Sequence, residues 1–450
     1  MTRRLPILAA AALLPAAIAA APAFAATGIS PAREFAPRQV LVKYKDAPRA
    51  RAVALPPGMS VRRAAAALRQ QPRVAYAAPN YIATASADPV AAPLPPALFN
   101  DRGPLSGPRA VPGGWASLQW DFLPWAGITP SLPVSAGGID AIGAWRNLIA
   151  ARRPGASGIV VAVLDTGVAY RDDLPGFRRS PDFVPGQFVP GYDFVDHDRL
   201  PLDENGHGTH VAGTIAEKTD NAIGLTGLAY GAKLMPVRVL DRAGEGLASS
   251  IATGIHFAVA HGADVINMSF NFPCGSHVPG IDRALRDAYR KGVVTVASIG
   301  NRRTEQCISP PATGPHTIGV GGTTEGGCLG RYSWLPGKGT DVLAPGGGRP
   351  LKSCPSVSRR PIYQVTFRRH DPLHFGEPNS YVGTSMAAAH VSGVAAMALA
   401  SGVLDPKATP TQRVEEVSER LRHTARDLGL PDSKQGAGLI DAGAATNPSR

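Results

Sequence analysis

Four runs of apolar and β-branched residues, at 158–165, 263–270, 292–300 and 316–322, constrain the fold most. They lack the polar/apolar alternation of a half-exposed strand, so they fit strands covered on both faces. Stretches of helical spacing separate them. Ile251, Ile255 and Val259 recur one turn apart within 247–261, and 281–290 is similar. Strand, helix, strand repetition predicts an α/β chain in three layers, a central, mostly parallel sheet with helices on both faces. Ligand chemistry in such sheets gathers at the carboxyl ends of the strands. Asp165 ends one run and Asn301 follows another. The Ala-rich stretch Met386–Ala400 predicts a buried helix packed through small side chains.

At 450 residues the chain is long enough for one large core and smaller appendages. Its +12 charge is scattered, with only short pairs such as Arg359-Arg360 and no aromatic-interleaved basic stripe. Nucleic acid is therefore not an expected partner, and solubility accounts for the charge. Residues 1–25 read as an export signal: Arg3 and Arg4 precede an Ala/Leu-rich run ending in Ala23-Phe24-Ala25. Pro6, Pro15 and Pro22 suit that run poorly to a permanent span. The expectation is a secreted protein, extracellular or periplasmic, monomeric, with no stable membrane span once the signal is removed. Residues 26–84 form a small α+β unit with strand-like Gln39–Tyr44 and Val74–Ile82 around a helical Val61–Gln71. The Pro/Gly/Ala-rich 85–115 is a linker or processing zone, and 116–446 is the main domain. Cys274, Cys307, Cys328 and Cys354 make an even count behind an export signal, which favours two disulfides. Three connectivities exist; the sequential one, Cys274–Cys307 and Cys328–Cys354, is expected. With no Cys-x-x-Cys spacing, zinc is not.

Three motifs set reactive side chains among small residues: Val-Leu-Asp165-Thr-Gly, Asn-Gly-His207-Gly-Thr-His and Gly-Thr-Ser385-Met-Ala. Ser385 at the first turn of its helix would sit in the positive end of the helix dipole, which favours developing negative charge; an ordinary N-cap serine is the plainer alternative. His207 is the base whose pKa lies near working pH. Asp165, at the end of a buried run, needs a partner, and the Nδ1–H of His207 supplies one. Asn301 can donate its amide to an oxyanion, together with the Ser385 N–H. His207 and His210 lack an acid at zinc-protease spacing, so His210 is expected to pack structurally.

The motifs, in this order, resemble the subtilisin-like serine proteases (subtilases), especially secreted bacterial members, over roughly residues 118–445. The resemblance implies a serine endopeptidase that hydrolyses peptide bonds in proteins through an acyl-enzyme, with Asp165, His207 and Ser385 as triad and Asn301 as oxyanion donor. Ser269, Phe270 and Asn271 then correspond to one wall of the primary specificity pocket, and Ala297, Ser298 and Ile299 to the other. Gly244, Glu245 and Gly246 correspond to the edge strand that pairs with the substrate backbone. Glu245 is placed to favour basic residues upstream of the cut, or is simply solvated. Two positions depart from the family pattern. Ala389 stands where a proline is usual, and Asn271 where a glycine is, which narrows the cleft.

The resemblance also implies a structural Ca²⁺, held by Gln119, Asp173 and the loop oxygens of Thr219, Asn221, Ile223 and Leu225; hard oxygen donors are what the ion takes. A second site at Asp196, Asp198 and Asp203 competes with a plain solvated loop. Residues 39–82 resemble the family's inhibitory propeptide, which covers the cleft and is cut away. The basic stretch Arg359–His370 is read as a surface insertion near the nucleophile. Protein or peptide substrates and the chain's own propeptide are the expected partners. A peptide acyl-transferase on the same scaffold and a non-catalytic exported binding protein are the rival readings.

Overall fold

The computed structural model describes residues 35–45, 47, 51–81, 99–105, 110–126, 133–276, 278–301, 307–333, 339–367 and 371–449. The export signal, most of the processing zone, and Arg368 to His370 of the basic stretch lie outside the described residues. Contacts divide the chain into two units, Met1–Ala87 and Asp88–Arg450.

The first unit is a three-stranded antiparallel sheet in the order β2-β1-β3, with one helix. Its strands are β1 (Phe35–Tyr44), β2 (Arg51–Ala54) and β3 (Val74–Tyr81). Helix α1 (Val61–Arg69) begins where the Ser60 hydroxyl accepts the Arg63 N–H. Val61, Ala64 and Ala65 of α1 cover Val40, Val42, Val74 and Ala77, a small core made by one helix stripe and one sheet face.

The second unit is built on seven strands in the order β10-β9-β8-β7-β4-β6-β5, all parallel. They are β4 (Val160–Asp165), β5 (Tyr192–Asp193), β6 (Lys233–Arg238), β7 (Val265–Met268), β8 (Val294–Ser298), β9 (Thr317–Thr323) and β10 (Val342–Pro345). Alternation along β4 divides the core. Val161 and Val163 point into one cluster, Ala162 and Leu164 into the other, as period-two side chains must. Helices α3 (Ala141–Ala150), α4 (His207–Ala216), α7 (Thr384–Ser401) and α8 (Pro410–His423) cover the first face, together with the one-turn α2 (Trp115–Leu118). α5 (Ala248–Ala260) and α6 (Pro279–Arg290) cover the second. This is the expected three-layer arrangement. A short hairpin, β11 (Thr366–Phe367) with β12 (Phe375–Gly376), follows β10.

α7 is largely enclosed, and its run of Ala387, Ala388 and Ala389 lies fully buried. Small side chains let it lie close over β7, β8, β9 and β10. It is the one described helix long and apolar enough to cross a membrane, and most of it is buried inside the protein. Trp115, Trp120 and Trp145 are buried in the same cluster. At roughly 200 Å² each and about 25 cal/mol per Å², each contributes about 5 kcal/mol of transfer free energy. That fastens residues 115–122 to the core.

Two disulfides form, Cys274–Cys307 and Cys328–Cys354, with Cα separations of 5.6 and 6.0 Å. The pairing is the sequential one. Cys274–Cys307 joins the segments that leave β7 and β8.

Candidate active site

Register places the site. Leu164, Met268 and Ala297 lie in one row across β4, β7 and β8. Asp165, Ser269 and Ser298 therefore follow at one edge of the sheet, at its carboxyl ends. From β4 the chain runs to β5 and β6 on one side and then crosses back from β6 to β7 on the other, and at such a reversal open parallel sheets form a crevice.

Asp165 is fully buried. Its Oδ1 accepts the Thr166 N–H at 2.8 Å and lies 2.7 Å from Nδ1 of His207. His207 is the first residue of α4 and is partly exposed. Gly208 lets the helix come this close: a Cβ there would sit 2.1 Å from the Gly167 carbonyl oxygen. Gly206, at φ +99°, turns the chain into the helix. Asp203 braces the approach. Its Oδ1 accepts from Thr166 Oγ1 and from the Asn205 and Gly206 N–H groups, and its Oδ2 from Thr209 N–H and Oγ1. Burial pushes the Asp203 carboxyl up, and these donors pull it back.

Ser385 is the second residue of α7. Its hydroxyl donates to the Ser269 carbonyl, and the Ser269 hydroxyl donates to the Ser385 carbonyl, both at 2.9 Å. Asn301 presents Oδ1 to the Thr384 N–H at 3.0 Å and to the Thr384 hydroxyl at 3.3 Å. With its oxygen so held, the Asn301 amide is fixed in orientation at the wall of a cavity. That cavity, of about 420 Å³, is lined by His207, Ser385 and Asn301, with Tyr381, Phe367 and Val382 among its walls. Ala389 lies within an unbroken α7. His210 is fully buried, with Nε2 3.1 Å from the Ile362 carbonyl oxygen and its ring stacked on Tyr381 at 4.1 Å. Burial pushes its pKa down to about 3, so it stays neutral. Thr384, Asp203 and Tyr381 carry this arrangement beside the motif residues. Thr384 belongs to the serine motif, whereas nothing in the local sequence marks Tyr381.

Of the cleft residues, Phe270 follows Ser269 and half-buried Asn271 spans the gap between the β7 and β8 exits. Its Nδ2 donates to the Ser298 carbonyl at 2.6 Å, and the Ser298 hydroxyl donates back to Asn271 Oδ1 at 3.0 Å. Ala297 and Ile299 are buried beside them. The edge strand at Gly244, Glu245 and Gly246 does not form. Glu245 gives its N–H to Asp241 Oδ1 and its carbonyl to the Asp241 N–H, and Gly244 donates to the Asp241 carbonyl. Asp241 thus closes the segment into a turn in the unliganded chain, using both backbone groups of Glu245.

The side chains implied for calcium are placed as follows in the loop and around it. Asp173 is exposed and ion-paired with Arg171. Two carboxylates are bonded by the loop: Asp182 takes the Asn221 Nδ2–H at 2.8 Å and the Leu225 N–H at 2.7 Å, and Asp101 takes the Asp220 and Asn221 N–H groups at 2.9 and 3.0 Å. The remaining side chains of the set are satisfied internally. Gln119 exchanges two bonds with the Thr226 backbone, Thr219 bonds Thr226 through its hydroxyl, and Asn221 Oδ1 accepts the Ile223 N–H. The side-chain oxygens of the set are thus engaged within the protein, whereas the Thr219, Ile223 and Leu225 positions enter it through main-chain carbonyls. Asp196, Asp198 and Asp203 do not meet either. Asp196 pairs with Arg238 at 2.7 Å, Asp198 caps the Leu200 N–H, and Asp203 serves α4.

Comparison with known proteins agrees with this geometry. Residues 156–438 match the subtilase family, and residues 46–80 match the fervidolysin N-terminal prodomain. The chain is 36% identical over 270 residues to a thermophilic serine proteinase of Bacillus sp. (strain AK1), covering 60% of this chain and 59% of that protein. It is 35% identical over 290 residues to subtilisin Savinase of Lederbergia lenta, covering 64% and 91%. Among solved structures, a protease from Pseudoalteromonas arctica aligns with TM-score 0.60 and 30% identity over 78% of this chain and 98% of that one. The chain belongs to the subtilase family, as a subtilisin-like serine protease with an N-terminal prodomain.

Proposed function

We propose that this protein is an exported serine endopeptidase that cleaves proteins through an acyl-enzyme, its prodomain acting as an inhibitor until removed. One observation carries the reading: His207, Ser385 and Asn301 line a single cavity, with the Asp165 carboxylate 2.7 Å behind the imidazole. Ser385 Oγ attacks the scissile carbonyl carbon as its proton passes to Nε2 of His207. Asp165, accepting from Nδ1–H, fixes the tautomer and stabilises the imidazolium. The oxyanion of the tetrahedral intermediate takes bonds from Asn301 Nδ2 and the Ser385 N–H. His207 then protonates the leaving amine, the C–N bond breaks, and water repeats the sequence in reverse to release the acid. Asn271, which bridges the two walls of the primary cleft, favours small side chains there.

A serine-directed fluorophosphonate is the test. The processed protein should be labelled at Ser385 and the Ser385→Ala variant should not. Labelled protein should also hydrolyse no peptide library. Absence of labelling in processed protein would overturn the reading and favour a binding protein. Amide products formed with an added amine in place of free acids would mark a transferase.

A further inference from the structure

A second Asp–His pair involves the helix that carries Ser385, and the mechanism above makes no use of it. His390 stands on α7, five residues beyond Ser385, and Asp121 on the short 3₁₀ turn Trp120–Phe122. Both side chains are fully buried. Nε2 of His390 lies 2.8 Å from Asp121 Oδ2, and its Nδ1 lies 2.8 Å from the Met386 carbonyl oxygen. The Phe122 ring meets the imidazole edge-on, with centroids 5.7 Å apart. Asp121 Oδ1 has no hydrogen-bond partner, and His390 is the one ion-pair partner of this carboxylate among the described residues.

Both ring nitrogens therefore face acceptors. Two protons sit on the pair, one on Nδ1 directed at the Met386 carbonyl and one between Nε2 and Oδ2. Whichever of those two atoms holds the second proton, the pair is neutral as a whole, which is the condition for burying ionisable groups this completely.

The use of such a pair follows from what the first turn of α7 has to keep open. Of its N–H groups, that of Thr384 is taken by Asn301, and that of Ser385 is needed for the oxyanion. Gly383, at the N-cap, supplies no side chain to fasten the turn. The turn is instead held by its carbonyls. The Ser269 hydroxyl donates to the Ser385 carbonyl at 2.9 Å, and His390 donates to the next one along, Met386. A carbonyl has two lone pairs, enough for this bond and for its partner in the helix. Met386 itself lines the cavity. Asp121 holds the ring from the other side, on a backbone that is itself anchored: its carbonyl accepts the Ile139 N–H at 3.0 Å, and Trp120 Nε1 donates to the Pro361 carbonyl at 3.0 Å.

We propose that Asp121 and His390 are positioning residues, which fix the Met386 carbonyl and thereby the turn that aims the Ser385 hydroxyl and N–H. The inference rests on Ser385 being the nucleophile. Fully buried, neither side chain touches substrate.

The test measures kcat, KM and the rate of fluorophosphonate labelling at Ser385 on processed protein. His390→Gln sets an amide nitrogen near the former Nε2 and keeps the bond to Asp121, while nothing replaces Nδ1. It should lower kcat and the labelling rate together, by about tenfold, with KM changed less than about threefold. Asp121→Leu combined with His390→Phe replaces the pair by apolar groups of similar shape, a change that is often neutral or stabilising. The double variant should melt within about 5 °C of the parent and still lose about tenfold in both rates. A role in stability alone would leave both rates as they are. Asp121→Asn can donate its amide to Nε2 while Nδ1–H stays on Met386, so it should keep kcat within about threefold of the parent. Parental kcat and labelling in a folded His390→Gln or double variant would overturn the role of the pair. So would a fall in kcat with labelling unchanged, or an Asp121→Asn variant as slow as the double variant. Failure of the parent itself to be labelled would overturn Ser385 as the nucleophile instead.

Discussion

Asn301 shows how far a single side chain depends on its neighbours. Its oxygen is held by two Thr384 donors, which orients the amide for a developing oxyanion. Asn301→Ala should lower kcat about 10²–10³-fold with KM little changed, the magnitude known for the corresponding donor in subtilisin, a relative of this protein. Thr384→Val keeps the backbone N–H and removes only the hydroxyl, so initial rates should show a smaller fall in kcat, about tenfold. A rise in KM with kcat unchanged would place Thr384 in substrate binding. The triad was legible because glycines and threonines must surround side chains that a substrate backbone approaches closely. Asp173 and Asp182 were not distinguishable in the sequence. Both follow the Asp165 motif in a stretch without period, and which carboxylate reaches the loop depends on the path of the chain between them. Arg171 beside Asp173 was the one local hint, since it offers that carboxylate a partner at the surface.

Among elements, β4, β7, β8 and β9 were readable because burial on both faces leaves uninterrupted apolar runs. β6 lacks that signature: its sequence, Lys-Leu-Met-Pro-Val-Arg, has a charge at each end and a proline inside. Lys233 is exposed at the sheet's lower rim, and Arg238 meets Asp193 at 2.8 Å, so the charges mark the strand's ends. β10 is four residues ending in proline, too short for a pattern. The exits of β7 and β8 are joined by the Asn271–Ser298 bonds and by Cys274–Cys307. Asn271→Gly removes both bonds and frees the backbone, which should cost about 1–3 kcal/mol of stability. It should also raise kcat/KM for large aromatic residues at the primary position relative to alanine, as read from paired peptide substrates. An unchanged ratio would show that Asn271 does not limit the pocket. Opening the 33-residue loop with Cys274→Ser and Cys307→Ser together should cost about 3–4 kcal/mol from loop entropy, read by denaturant unfolding.

At the scale of the molecule, contacts divide the chain into Met1–Ala87 and Asp88–Arg450, where composition and patterning suggest a small N-terminal unit, a linker and a larger domain. What they could not show is how residues near 140 and 441 close the second unit on itself. Asp140 caps α3 through the Gly143 N–H at 3.1 Å, and the Ala442 N–H returns to the Ile139 carbonyl at 2.7 Å. Burial, with Asp441 nearby, pushes the Asp140 carboxyl up to about 6 from its ordinary 3.8. The folded protein therefore binds this proton more tightly than the unfolded chain. The contribution is full below about 3.8 and is lost as pH rises through about 6, at most about 3 kcal/mol. Asp140→Asn keeps the capping oxygen, tolerates the left-handed φ of +56°, and carries no charge at any pH. In the Ser385→Ala background, its melting temperature relative to the parent should rise between pH 4 and pH 8 by several degrees, at roughly 2–4 °C per kcal/mol. A difference that stays constant, or falls, across that interval would mean the Asp140 carboxylate is stabilised by its cap and not penalised by burial.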